Sequence, residues 1–180
     1  MSTPPFAPVT EAEHAVLRAQ LGRPVRGAVG IAARCACGNP TVVATAPRLD
    51  DGSPFPTFYY LTHPAATAAM SRLEATHVMP ELAAALDDEE VAAAYRRAHE
   101  AYLHDRAQYG EVEEIAGISA GGMPTRVKCL HALAGHALAA GPGVNPIGDA
   151  ALARSDWSPE RCECAAPGAA LAGTSAELPG

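Results

Sequence analysis

The sequence predicts an α+β fold: a small antiparallel sheet, made of a hairpin plus one further strand, packed by several helices. Strand-like segments cluster between residues 28 and 62, helical periodicities fill most of the chain beyond residue 63, and no regular strand–helix alternation joins the two. With 180 residues and a mass of 18.5 kDa, the chain suits one well-buried core better than two.

The first element is announced by Thr10-Glu11-Ala12-Glu13, a capping box in which the hydroxyl and the carboxylate satisfy each other's end of the first turn. A helix to about Leu21 follows. After a turn from Gly22 to Gly27, Ala28–Ala33 and Thr41–Ala46 read as two strands joined by Cys35-Ala36-Cys37-Gly38-Asn39-Pro40, which makes a hairpin. Residues 47–56 form a loop, and Thr57–Thr62, rich in aromatic and β-branched residues, reads as the third strand.

His63 ends that strand and Pro64 opens a helix, with Ala66, Met70, Leu73 and His77 at helical spacing. After a break at Pro80, Met79, Leu82, Ala83 and Leu86 repeat the pattern. Asp87-Asp88-Glu89-Glu90 starts the next helix, whose inner face carries Val91, Tyr95, Ala98 and Tyr102 as far as about Ala107. A helix is then expected from Pro124 to Ala140, closed by Gly141-Pro142-Gly143, and a short one from Ile147 to Ala153. Residues 1–8 read as a disordered lead, 9–154 as a single domain, and 155–180 as a flexible tail rich in Ala, Gly and Pro.

A hydrophobic share of 48% with 18% charged residues is that of a globular chain. The net charge of −7 and the lack of any basic run argue against a nucleic-acid partner. No apolar run reaches membrane-spanning length, and the N-terminus lacks the basic and apolar regions of a secretion signal. The expectation is a cytoplasmic protein without membrane insertion, whose five cysteines stay reduced.

Residues 119–131 concentrate the chemistry. Gly121 and Gly122 free the backbone, Pro124 suits the first position of a helix, and the amides of that first turn would face the glycines as a nest for a small carboxylated or phosphorylated ligand. Arg126 would project from that turn toward the apolar side and so needs an anionic partner: the ligand, or Glu74, Glu100 or Asp149 in a structural ion pair. Arg48 and Arg72 could complete the cationic pocket, with Ser119 in the loop. His99, beside the inner aromatic rings, and His131, at the edge of an apolar face, are the acid/base candidates, weighed against roles as hydrogen-bonded core residues. On a regular helix Cys129 and His131 would point nearly opposite ways, which argues against a Cys-x-His chelate. No base is evident for Ser119.

Cys35-Ala36-Cys37 and Cys162-Glu163-Cys164 share one spacing, so Cys35, Cys37, Cys162 and Cys164 could enclose a structural zinc; the rival reading is two unrelated thiol pairs. Phosphate-loop, dinucleotide, nucleophile-elbow and His-Glu-x-x-His motifs are absent.

Several segments in order (Arg34-Cys35, Pro47-Arg48-Leu49, Asp51 to Thr57, Tyr60-Leu61-Thr62, Ser71-Arg72-Leu73-Glu74, Ala98-His99-Glu100, Ser119 to His131 and Gly141 to Pro146) resemble an actinobacterial family catalogued as domain of unknown function 501. The likeness covers about residues 16–150. It implies a bacterial cytoplasm and an association with septum formation, and brings no assigned catalytic residue. Two functional expectations emerge: a binder of a small anionic ligand with histidine chemistry, and a non-enzymatic adaptor with a cysteine-knuckle metal site and a cell-division or envelope partner. Alanine-rich faces permit a homodimer.

Overall fold

The computed structural model describes residues 3–161, 163 and 164. Its elements run α1 (Glu11–Leu21), β1 (Ala28–Arg34), β2 (Pro40–Thr45), β3 (Tyr59–Leu61), α2 (Pro64–Ala75), α3 (Val78–Ala84), α4 (Glu89–Ala107), α5 (Leu130–Ala140) and α6 (Pro146–Arg154), with 3-10 turns at Ala85–Asp87 and Glu113–Ile115. The fold is α+β, as the sequence predicts.

The sheet is antiparallel in the order β1-β2-β3, with Ile31 opposite Val43 and Val42 opposite Leu61. Because β2 is central and covered on both faces, all six of its residues are buried, and this explains why Thr41 to Thr45 reads as a continuous apolar and β-branched run. Ile31 and Val43 form one small cluster with Leu17 of α1; Val42, Ala44, Tyr59 and Leu61 join the main core with Leu130, Leu133 and Ala134 of α5. The sheet thus lies between α1 and a layer built on α5.

Thr10 and Glu13 form the expected capping box, and Gly22 closes α1 in the left-handed conformation. Asp88 caps α4 through Glu90 and Val91, and Asn145 caps α6 through Gly148. Gly148 also lets α6 cross α5 closely, since a Cβ there would lie 2.3 Å from the Leu133 carbonyl oxygen. Where a break is expected at Pro80, α3 runs through it, because a proline in the first turn removes only an amide that has no helical partner.

Both ends of the described chain pack on the fold. Phe6 donates its amide to the Tyr109 hydroxyl and stacks on that ring. Just beyond Arg154 the described residues stay on the core: Trp157 is only 2% exposed and Pro159 accepts a hydrogen bond from Ala36. Among the described residues, no helix is long and apolar enough to cross a membrane.

Two buried polar side chains tie α4 and α5 to their neighbours. His136 is fully buried, stacks on Tyr59 and meets Tyr102 edge-on, and its Nδ1 accepts from the Asn145 amide at 3.2 Å. Burial pushes its pKa down to about 4, so the ring is neutral. Arg106, 6% exposed, has no carboxylate among its hydrogen-bond partners and donates to the carbonyls of Pro56, Ile115 and Ile118, tying the 112–118 segment to α4.

Candidate functional site

The helix expected from Pro124 begins at Leu130 instead. Gly121 and Gly122 adopt positive φ values of 71° and 98° and turn the chain on itself, so that the Gly122 carbonyl accepts from Arg126 and the Gly121 carbonyl from Lys128. The β-branched Thr125 and Val127 give a helix little local support there, whereas Leu130–Ala140 is nearly all Ala and Leu. Cys129 is extended, at φ −150° and ψ 110°, and takes the N-cap position. The anion nest expected at Gly121, Gly122 and the Pro124 turn therefore does not form.

The amide at the true helix start is already claimed. Glu74 Oε1, from α2, accepts the Leu130 N–H at 2.7 Å, an N-cap supplied from another element. Arg126, expected to project toward the apolar side, is exposed and makes no ion pair among the described residues; its main-chain carbonyl accepts from the Tyr95 hydroxyl. Arg48 pairs with Glu114 at 2.6 Å, and Arg72 with Asp156 through contacts of 2.6 and 2.8 Å. These guanidiniums serve surface carboxylates instead of one shared pocket.

The displaced helix start creates an arrangement that regular-helix geometry excludes. With Cys129 extended and His131 in the first turn of α5, their side chains converge: Glu74, Cys129 and His131 each offer one ligand atom, all within 4.8 Å of one another. His131 Nδ1 lies 3.3 Å from Glu74 Oε1, and Nε2 lies 3.1 Å from the Thr67 carbonyl oxygen and 3.2 Å from Ser71 Oγ. A carbonyl and a carboxylate can only accept, so the ring meets them both best as the doubly protonated imidazolium. Cys129 beside it, reinforced by Glu74, raises the His131 pKa against the opposing effect of burial. Reciprocally, His131, helped by the Ala132 amide, draws the Cys129 thiol below its usual range although burial and Glu74 oppose this.

Cys129 and His131 stand in the wall of a cleft of about 630 Å³ between β3, α1, α2 and α5, whose lining also includes Gln20, Tyr60, Thr62, Thr67 and Ser71, while Glu74 sits behind them against His131 Nδ1. The volume is that of a small-molecule site, with an apolar floor and a few converging polar groups. The same three side chains are close enough for a divalent ion. Glu74's direct contact with Nδ1 and its bond to the Leu130 amide favour the proton-held arrangement.

His99 and Ser119 are also brought together, Nδ1 to Oγ at 2.8 Å, so Ser119 does have a histidine beside it. Burial lowers the His99 pKa. Among the residues lining the 630 Å³ cleft neither appears; the pair fastens the 119–129 loop to α4. A third cluster gathers Cys35, Cys37 and Cys164 within 4.8 Å. Cys162, the fourth expected ligand, lies outside the described residues.

Cys129 and Glu74 are the residues that sequence reasoning underrates. Cys129 directly precedes the Leu- and Ala-rich run, the place of an N-cap, and that position, more than helical phase, is the signal that aims its thiol at His131.

These features define an α+β domain with a thiol and an imidazole in one cleft wall and a carboxylate beside the imidazole. The chain belongs to the family of proteins of unknown function DUF501, whose profile matches residues 31–153 and so includes Glu74, Cys129 and His131. No curated protein and no solved structure matches it significantly.

Proposed function

We propose that this protein binds a small carbonyl- or carboxyl-bearing metabolite in the cleft between β3, α2 and α5, and performs acyl-transfer or hydrolytic chemistry on it with Cys129 as the nucleophile. The observation that carries this reading is that Cys129 and His131, with Glu74 within 4.8 Å of both, line a cleft large enough for such a ligand. The expected small-anion ligand is retained; its place moves from the glycine loop to the cleft. The setting is the cytoplasm, where a thiol stays reduced.

In the proposed step the Cys129 thiolate attacks the substrate carbonyl carbon, a sulfur–carbon bond forms, and the bond to the leaving group breaks as that group takes the proton from His131. Neutral His131 then accepts a proton from the incoming water, which attacks the thioester and releases the acid and the thiolate. Glu74 holds the ring through Nδ1, and Nε2, which rests on the Thr67 carbonyl, leaves that contact to give its proton to the leaving group and later to take one from water. Ser71 and Thr62 supply polar contacts at the cleft wall.

The test is acylation by a small activated ester such as p-nitrophenyl acetate, read by intact mass and peptide mapping. A single acetyl group on Cys129, lost in Cys129→Ala and retained in Cys35→Ser, supports the reading; no adduct on Cys129 rejects it. The adaptor reading, with a cell-division or envelope partner, rests on the cysteine knuckle instead. It would be favoured if a Cys129→Ala strain behaved as wild type while a Cys35→Ser strain did not.

A further inference from the structure

Far from the Cys129 thiol in sequence, three cysteine sulfurs from two chain segments meet at the tip of the β1–β2 hairpin, and a histidine from a third segment reaches one of them. The turn Cys35-Ala36-Cys37-Gly38 is closed by hydrogen bonds from Gly38 N–H to the Cys35 carbonyl at 2.8 Å and from Cys35 N–H to the Asn39 carbonyl at 2.9 Å. The segment beyond α6 returns to this turn: Trp157 is buried in the core, Ala36 N–H bonds to the Pro159 carbonyl at 3.1 Å, and Cys164 arrives with its sulfur within 4.8 Å of both hairpin sulfurs. From the opposite side comes His63, between β3 and α2, only 1% exposed, with Nε2 at 3.0 Å from Cys164 Sγ and its ring 5.4 Å from that of Trp157.

We infer that Cys35, Cys37, Cys164 and His63 form a structural zinc site. The set is three thiolates and one imidazole, the combination that selects zinc among common divalent ions through soft donors and tetrahedral geometry. Zinc–sulfur bonds of about 2.3 Å make tetrahedral edges of about 3.8 Å; the three sulfurs lie within 4.8 Å of one another, and His63 Nε2, 3.0 Å from Cys164 Sγ, would turn toward the other two sulfurs to complete the set. Ligation through Nε2 places the ring proton on Nδ1 and gives up the 3.4 Å contact from Ala66 N–H, a cap at the outer limit of hydrogen bonding. Zinc with three thiolates carries one net negative charge; Arg34, bonded to the Gly38 carbonyl, stands on the turn, where its guanidinium also pairs with Glu13.

With four protein ligands the ion has no open position, so its role is mechanical. It staples the returning C-terminal segment to the hairpin and to the residue preceding Pro64, the start of α2, which carries Thr67 and Ser71 to the cleft. This inference stands independently of the acyl-transfer reading, because neither metal content nor its loss involves Cys129.

The experiment uses the full chain purified under reducing conditions, with zinc measured by plasma mass spectrometry and the ligand set read by cobalt(II) absorption. One zinc per chain is expected, with tetrahedral cobalt bands and thiolate charge transfer. Cys35→Ser, Cys37→Ser, Cys164→Ser and His63→Gln should each lose the metal, His63→Cys should restore it, and Cys162→Ser should leave it unchanged. Should a variant unfold, the wild-type cobalt spectrum alone still counts three thiolates and one nitrogen. Zinc-free protein that takes up no zinc on titration overturns the inference, as does a disulfide joining Cys164 to Cys35 or Cys37 in freshly isolated protein. A Cys162→Ser variant that loses zinc while His63→Gln keeps it would equally overturn it, by assigning the fourth position to Cys162.

Discussion

Acid should weaken this fold through His136. The ring is fully buried, its Nε2 finds no hydrogen-bond partner among the described residues, and its folded pKa of about 4 lies well below the ordinary 6.5. The unfolded chain therefore binds a proton that the folded chain refuses, and stability falls as pH drops from above 6.5 toward 4. One pKa unit corresponds to about 1.36 kcal/mol, and between pH 7 and pH 5 the linkage integral gives a loss of about 2 kcal/mol. For a chain of this length that is a fall in Tm of roughly 4–8 °C. The assay is thermal unfolding at both pH values for wild type and for His136→Gln, whose side-chain carbonyl can still accept from Asn145. His63 and His99, both lowered by burial, add to the acid loss, while His131, raised by Cys129, opposes it. All three remain in the variant, so they drop out of the difference between proteins. The variant should show a pH 7-to-5 drop smaller by about 2 kcal/mol; equal drops in both proteins would refute the assignment of a neutral, buried His136.

Arg106→Met should lower stability by about 3 kcal/mol in urea unfolding, because it leaves the carbonyls of Pro56, Ile115 and Ile118 without their donor; a change within 0.5 kcal/mol, roughly the range of neutral surface substitutions, would show that water replaces it. Glu74→Ala should cost about 1 kcal/mol through loss of the α5 cap, whereas Glu74→Gln keeps an acceptor for Leu130 and should cost less, measured by Tm. In Glu74→Gln the imidazolium loses its counter-charge. The pH at which His131 deprotonates, followed by NMR of the ring, should therefore fall, and an unchanged titration would separate Glu74 from the pair.

Elements whose signals are local are legible in the sequence. The capping box of α1, the Asp88 cap and aromatic stripe of α4, the Asn145-Pro146 start of α6 and the apolar run of β2 each fix their own position. The Gly121-Gly122-Met123-Pro124 stretch misleads because glycines and a proline mark a turn as readily as a helix start, and tertiary capping by Glu74, 56 residues away, decides the matter. The same distance effect hides the partners of Arg48 and Arg72, whose carboxylates lie 66 and 84 residues off. A periodic pattern assigns a face to a side chain but cannot foresee an extended residue, so the Cys129–His131 pair disappears once a helix is assumed to begin at Pro124. The knuckle at Cys35 and Cys37 is visible from spacing. His63, 101 residues from Cys164, is not.

The central claim is that His131 draws the pKa of the Cys129 thiol below its usual range. Its most direct measurement is the rate of Cys129 alkylation by iodoacetamide as a function of pH, followed by peptide mass spectrometry in wild type and in His131→Gln. The account predicts rapid alkylation that persists below the ordinary thiol range in wild type, and a shift of the profile to higher pH with at least a severalfold slower rate near neutrality in the variant. A wild-type profile that rises only at the pKa of an ordinary cysteine, unchanged by His131→Gln, would contradict it.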